Sequence, residues 1–328
     1  MSNQIHLEIE VPAECAGQRF DQAAADLIPD YSRARLQTWI KGGQLTVNGR
    51  SGKPKDKLFG GELLVLRAEL EPQGEWLAQK MDLDIIYEDN AILVINKPAG
   101  LVVHPAAGNP DNTLLNGLLA HNAGQHNIPR AGIVHRLDKD TSGLMVVAKT
   151  LQAQTDLVDQ LKERSVSRLY DAVVQGTLSG GGTVDAPMGR HRTHRLKMAV
   201  LPNAGMGGAK EAITHYRLQE RFRSHMLVRC QLETGRTHQI RVHMAHIRHP
   251  LVGDPLYGGR GKLPQGASRE LVEALQQFPR QALHAAELAL IHPESGEPMH
   301  WQAPMPEDML QLLALLRADR ADSGPDAV

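Results

Sequence analysis

The chain has 328 residues, with 36 Lys and Arg against 37 Asp and Glu, a formal net charge of −1, and 41% hydrophobic residues. That length suits two units at roughly 100–200 residues each, and the composition can bury a core. Net charge does not announce a polyanion partner, so such a surface must come from local clustering, and 4% aromatics exclude binding by rows of stacked rings.

From the N-terminus, Met1 to Cys15 lacks the basic stretch and apolar core of a signal peptide. Ile5, Leu7, Ile9 and Val11 alternate with polar residues, the period of a half-buried strand. A helical pattern follows over Phe20, Ala24, Leu27 and Ile28, broken at Pro29-Asp30. Ser32 is set to cap a second helix carrying Leu36, Trp39 and Ile40, which Gly42-Gly43 stops. Gln44 to Gly49 reads as a strand entering an Asn-Gly turn, and Glu62 to Leu66 as another. Glu69 to Lys80 reads as a linker.

Past residue 83, strands are expected at 85–87, 92–95, 144–147, 170–175 and 226–232, and helices at 114–120, 152–164, 237–247 and 308–318. Strands and helices do not alternate strictly. The expected fold class is therefore α+β with a mixed, largely antiparallel sheet. The boundaries drawn are a small unit over 1–75 with its linker to about 82, a main domain over 83–320, and a disordered tail over 321–328. No apolar run approaches the ~20 residues that cross a bilayer. Cys15 and Cys230 lie far apart without metal-type spacing. A soluble, cytoplasmic monomer with no membrane partner is expected.

Between Tyr31 and Lys57 stand Arg33, Arg35, Lys41, Arg50, Lys53, Lys55 and Lys57, against the single acid Asp56. Such a cluster neutralises phosphates without reading sequence. The pattern Arg19-Phe20-Asp21, Ser32-Arg33, Ile40-Lys41-Gly42-Gly43 and Val47-Asn48-Gly49 resembles the small α/β RNA-binding domain named after ribosomal protein S-four.

The segment richest in chemistry is His135-Arg136-Leu137-Asp138-Lys139-Asp140-Thr141-Ser142-Gly143-Leu144. Two acids, a His and an Arg crowd a turn directly before an apolar strand, where side chains are well held and still reachable. Read from the residues alone, a salt-bridged loop is the competing explanation. This segment resembles the signature of the pseudouridine synthase family that includes the ribosomal large-subunit enzymes. The likeness extends over Asn96 to Pro105, Arg168-Leu169-Tyr170 and Leu232 to Arg241.

The resemblance implies an isomerase that detaches uracil from C1′ of a uridine, turns the base and rejoins it through a carbon, with no cofactor. It implies Asp138 as the essential carboxylate, Arg236 as the cation that keeps it charged, and Tyr170 against the uracil. The uridine must leave the helical stack. Arg136 is assigned to the gap it leaves, because a guanidinium stacks on bases and binds phosphate, and His135 to supporting that loop. Arg192, Arg195 and Lys197 in the basic run Arg190–Met198 are expected on phosphates. The family has a Pro after its His here, and this chain has Arg192.

The implied substrate is 23S large-subunit ribosomal RNA, alone or in an assembling subunit, at uridines of the hairpin that bridges the subunits. The competing functions are the same chemistry on another ribosomal or transfer RNA site, and a non-catalytic RNA-binding assembly factor. His243 and His246 share a helix face, but no carboxylate or cysteine completes a zinc set at a familiar spacing. Gly205 to Lys210 is not a Walker pattern and reads as a hairpin loop.

Overall fold

The structure, a computed structural model, describes residues 4–28, 31, 33–69, 76–106, 108–194, 196–202, 208–259, 261 and 263–322. Ser32, Pro29-Asp30, Arg195 and Gly205 to Gly207 lie outside these, as do 70–75 of the expected linker and 323–328 of the expected tail.

The N-terminal part holds strand β1 (Gln4–Glu10), helices α1 (Phe20–Leu27) and α2 (Arg33–Lys41), and strands β2 (Leu45–Val47) and β3 (Leu63–Glu69). The sheet runs β1-β3-β2, antiparallel throughout. Its core is Phe20, Leu36, Ile40, Leu45, Leu64 and Leu66. Asn48 and Gly49 both have positive φ, as the Asn-Gly turn requires. A buried carboxylate joins the helices. Asp21 accepts from Arg19 Nε at 3.0 Å, Arg33 Nη2 at 2.8 Å and Gln37 Nε2 at 2.6 Å.

The second part is built on a nine-stranded sheet. Its strands are β4 (Ile85–Glu88), β5 (Ile92–Lys97), β6 (Ser142–Ala148), β7 (Ser167–Gln175), β8 (Gly182–Asp185), β11 (Ile213–Arg221), β12 (His225–Leu232), β13 (Leu283–Ile291) and β14 (Pro298–Gln302). A short hairpin, β9 (Met188–Arg190) with β10 (Met198–Val200), stands apart from it. The order is β4-β5-β6-β13-β7-β12-β11-β8, with β14 beside β13. Only β6 and β13 pair parallel, so the sheet is mixed and mostly antiparallel as expected.

Alternation along the strands divides the core. Leu93, Ile95, Met145, Val147, Tyr170, Ala172, Val228 and Cys230 face helices α3 (Leu114–His121) and α5 (Gln239–His246). Ile92, Val94, Leu144 and Val146 face α4 (Leu151–Lys162), while Val173 and Ala282 face α6 (Arg269–Gln277) and α7 (Glu307–Asp322). Where β6 meets β13, Gly143 has φ +114°, and a Cβ there would lie 2.3 Å from the Ala285 carbonyl oxygen. Only glycine lets the two backbones come this close.

Two expectations change. Trp76 to Met81 is docked rather than loose: Gln79 N donates to Asn116 O, and Asn116 Nδ2 donates to Leu77 O. The expected tail loses its first two residues to α7, which runs through Ala321 and Asp322.

Burial works to raise the Asp21 carboxyl, but the Arg33, Gln37 and Arg19 donors outweigh it and bring it from 3.8 down to about 2. A lowered carboxyl stabilises the fold above its unfolded value and loses that contribution as pH falls through the folded one. Denaturant midpoints of the wild type should therefore drop between about pH 5 and about pH 2.5 by more than those of Asp21→Asn. Equal drops would show that the cluster does not couple protonation to folding.

Candidate active site

The chain reaches Asp138 through a strained turn. Arg130 and Ala131 have φ of 54° and 50°, and Gly132 follows at φ +75°. A Cβ on Gly132 would lie 1.9 Å from the Ala148 carbonyl oxygen. Ile133 then bridges Val147, and the backbone turns over Asp138 to Thr141, closed by Thr141 N to Asp138 O at 3.1 Å. Several groups fix this turn from below. Lys97 Nζ donates to the carbonyls of Pro98, Leu101 and Lys139, Gly100 N also donates to Lys139 O, and Gln281 Nε2 donates to Thr141 Oγ1. Burial lowers the Lys97 ammonium to about 7, against the opposing pull of Asp140 and Asp138.

Asp138 lies on the wall of a cleft of about 800 Å³, which His104, Tyr170 and Thr234 also line. Six basic side chains border it (Arg130, Arg136, Lys162, Arg164, Arg168 and Arg236), against two carboxylates, Asp138 and Glu233. The cleft is therefore strongly basic in a chain of net charge −1. On its walls the His104 Nε2 and Arg168 Nε atoms are buried with no hydrogen-bond partner among the described residues.

The cation on Asp138 is Arg241. Its Nη1 donates to Asp138 Oδ2 at 2.9 Å, while Nε and Nη2 donate to Asp254 Oδ2 and Oδ1 at 2.7 and 2.9 Å. Asp254 is fully buried and also accepts from Leu256 N and Tyr257 N. Its burial raises the carboxyl, but the Arg241 contacts and the two amides overcome that and lower it. Tyr257 covers the guanidinium, its ring centroid 5.2 Å from the Arg241 carbon. Its hydroxyl accepts from Met198 N at 2.8 Å and lies 2.9 Å from His238 Nδ1. His238 Nε2 stands 3.9 Å from Asp138 Oδ1. His238 holds φ 58°, a left-handed backbone that a non-glycine residue adopts at a cost.

The expected pairing of Asp138 with Arg236 is not formed. Arg236 precedes α5 and turns outward to donate to Glu211 O, whereas Arg241 sits in the first turn of α5 and faces inward. Arg236 still borders the cleft. Its loop is tied by Gln239, whose Oε1 accepts from Arg236 N and Thr234 Oγ1 and whose Nε2 donates to Ile213 O and Thr214 Oγ1. Tyr170 is buried on β7 between Cys230 of β12 and Ala285 of β13, and it lines the cleft. Burial raises its phenol above the ordinary value.

The expected RNA contacts divide. Arg136 is exposed at the cleft, without a partner among the described residues. His135 is a structural group: its Nε2 accepts from Val146 N at 3.1 Å, and burial lowers the ring to about 3. Arg33 is committed to Asp21, although 44% of its side chain stays exposed. Arg35 lies over the Trp39 ring at 5.5 Å, and Lys41 is exposed at the end of α2. Arg192 is exposed on the loop between β9 and β10, and Lys197 Nζ lies 6.0 Å from the Tyr257 ring. His243 is held inside by Thr214 Oγ1 and Ala186 O.

Asp254 and Tyr257 were not singled out from sequence, Lys97 was read only as part of the Asn96 to Pro105 motif, and His238 only as one of a cluster of histidines after Arg236. The run Gly253-Asp254-Pro255-Leu256-Tyr257, polar after an apolar stretch, was the available signal. Arg241→Met leaves Asp254 buried with only its two amide donors and should cost about 3 kcal/mol in denaturant unfolding. Arg236→Ala removes one partly exposed hydrogen bond and should cost about 1 kcal/mol or less. Equal losses would contradict the place given to Arg241.

Comparisons with known proteins bear on the same residues. The family model described as RNA pseudouridylate synthase matches residues 91–246. Ribosomal large subunit pseudouridine synthase D of Pseudomonas aeruginosa is 61% identical over 320 residues, 98% of each chain. The protein of that name from Escherichia coli K12 is 54% identical over 320 residues, 97% of each. The solved structure of human RNA pseudouridylate synthase domain containing 4 matches with a TM-score of 0.56 at 27% identity, covering 71% of this chain and 92% of its own. With likeness at this level across nearly its whole length, the chain belongs to the RNA pseudouridylate synthase family and is an RNA pseudouridine synthase.

Proposed function

We propose that this enzyme isomerises specific uridines of 23S large-subunit ribosomal RNA, in the hairpin that bridges the subunits, with Asp138 as the reacting carboxylate. The observation that carries the reading is the Asp138 carboxylate, partly exposed in a basic cleft and paired from behind by buried Arg241. The substrate class rests on the Pseudomonas aeruginosa and Escherichia coli relatives, each named a ribosomal large subunit pseudouridine synthase and matched over almost its full length.

In this reading a uridine is flipped from its stack into the cleft, at a cost of a few kcal/mol that phosphate contacts offset. Arg136, exposed at the cleft, fills the space the base leaves. Tyr170 lies against the uracil. The C1′–N1 bond breaks, the base turns, and a C1′–C5 bond forms as C5 gives up its hydrogen as a proton and N1 takes one up. Arg241 holds the Asp138 carboxylate in one orientation from the side away from the substrate, so the charge needs no rearrangement during the reaction.

Residues 1–75 serve as an RNA-binding domain of the ribosomal protein S-four type, with the catalytic domain over 83–320. Lys41, Arg50, Lys53, Lys55 and Lys57 are exposed there. With Arg192, Lys197 and the cleft cations they supply contacts that are salt-sensitive and blind to sequence. The protein acts in the cytoplasm as a monomer.

Pseudouridine mapping by carbodiimide treatment and primer extension, on ribosomal RNA from cells lacking the gene, tests this. Sites lost on deletion should return with the wild type and not with Asp138→Asn, whose rate should be lower by about 1,000-fold or more. Full rescue by Asp138→Asn would sink the assignment of the carboxylate. An unchanged ribosomal map with pseudouridines missing from transfer RNA would sink the substrate instead.

A further inference from the structure

The basic loop between β9 and β10 and the Asp138 carboxylate are joined through one side chain. The loop is closed on itself by His191 N to Lys197 O at 3.0 Å and Lys197 N to His194 O at 2.9 Å. At its end, Met198 N leaves the hairpin and donates to the Tyr257 hydroxyl at 2.8 Å. A backbone N–H can only donate, so the phenol oxygen accepts there. No other acceptor for the phenol proton is present among the described residues except His238 Nδ1, at 2.9 Å. With the phenol donating to Nδ1, the proton of the neutral imidazole stands on Nε2, the nitrogen that faces Asp138 Oδ1 at 3.9 Å. The ring of the same tyrosine covers Arg241, whose Nη1 holds Asp138 Oδ2.

We propose that Tyr257 is a positioning residue that couples the Arg190–Met198 loop to the reaction: the loop's Met198 amide sets the Tyr257 hydroxyl, the hydroxyl sets the His238 tautomer, and His238 and Arg241 together orient Asp138. RNA phosphates seated on the loop hold Met198 against Tyr257. When the loop moves away, the phenol proton is free to turn, and the donor aimed at Asp138 is no longer fixed. Occupation of the loop thus raises the rate at the carboxylate as well as the affinity. This rests on Asp138 being the reacting group.

The test is single-turnover pseudouridine formation by the full chain on a large-subunit ribosomal RNA transcript, read as saturating rate and half-saturating concentration. Tyr257→Phe keeps the ring over Arg241 and removes only the hydroxyl. It should lower the saturating rate about tenfold with half-saturation changed less than about twofold. Arg192→Ala, on the exposed loop, should weaken binding and lower the saturating rate about threefold in the wild type. In Tyr257→Phe it should weaken binding equally and lower the rate no further. Should Tyr257→Phe melt early, His238→Asn replaces it. Asn tolerates the left-handed backbone and removes the Nε2 arm, and it should show the same loss and the same non-additivity.

An undiminished rate in Tyr257→Phe, or an equal loss from Arg192→Ala in both backgrounds, overturns the coupling. Asp138→Asn run alongside separates the two readings. If it is active, the reading of the carboxylate fails; if it is inactive and the other losses add, only the coupling fails.

Discussion

Arg241 stands between two carboxylates with 5% of its side chain exposed, forked onto Asp254 and reaching Asp138 with its remaining nitrogen. Taking an ion out of water costs several kcal/mol unless its geometry and hydrogen bonds are nearly complete. Here the fork, the two amides on Asp254 and the Tyr257 ring complete them. One consequence is that the guanidinium has no freedom to follow Asp138; the carboxylate must come to it. The turn over Asp138 to Thr141 is shaped to bring it there, with Lys97 and Gly100 pulling on Lys139 and Gln281 on Thr141. A flexible acid on a loop becomes an acid at a fixed point in a cleft.

The fixed point explains how the charge is distributed. A net charge of −1 gives no general attraction for RNA, yet six cations border the cleft and others lie along the N-terminal part and the β9–β10 loop. Elsewhere acids take up cations that would otherwise compete. Asp21 takes Arg19 and Arg33, Asp171 and Glu287 take Arg229, and Glu220 takes Arg317. At the cleft itself Arg164 is paired with Glu211 and Glu233 and Lys162 with Asp159, which leaves Arg136 exposed there without a partner among the described residues, and its attraction acts within about 10 Å at ordinary salt.

Strands with alternating or continuous β-branched runs were legible in the sequence, as were helices with clean termini. Ile92 to Lys97, Leu144 to Val147 and Leu151 to Lys162 are cases. The central strand β13 was not. Its sequence, Leu-His-Ala-Ala-Glu-Leu-Ala-Leu-Ile, is rich in helix formers, and only its place between β6 and β7 makes it extended. Asp138 and Tyr170 were singled out by motif, and both line the cleft. The partner of Asp138 was mistaken because Arg236 and Arg241 belong to one motif, and spacing alone does not say which precedes the helix and which faces in. Asp254 and Tyr257 escaped because their meaning is a contact with Arg241 across the fold, which leaves no local period to read.

The most direct test of the central claim is a crystal structure of the enzyme with a ribosomal RNA fragment carrying 5-fluorouridine at the target. Fluorine cannot leave C5 as a proton does, so the base is held after it has entered the site. The expected result is a base flipped into the cleft beside Tyr170, its ribose in contact with Asp138, and Arg241 still joining Asp138 to Asp254. A base bound outside the cleft, or an Asp138 turned away from the nucleotide with its Arg241 pair broken, would contradict it.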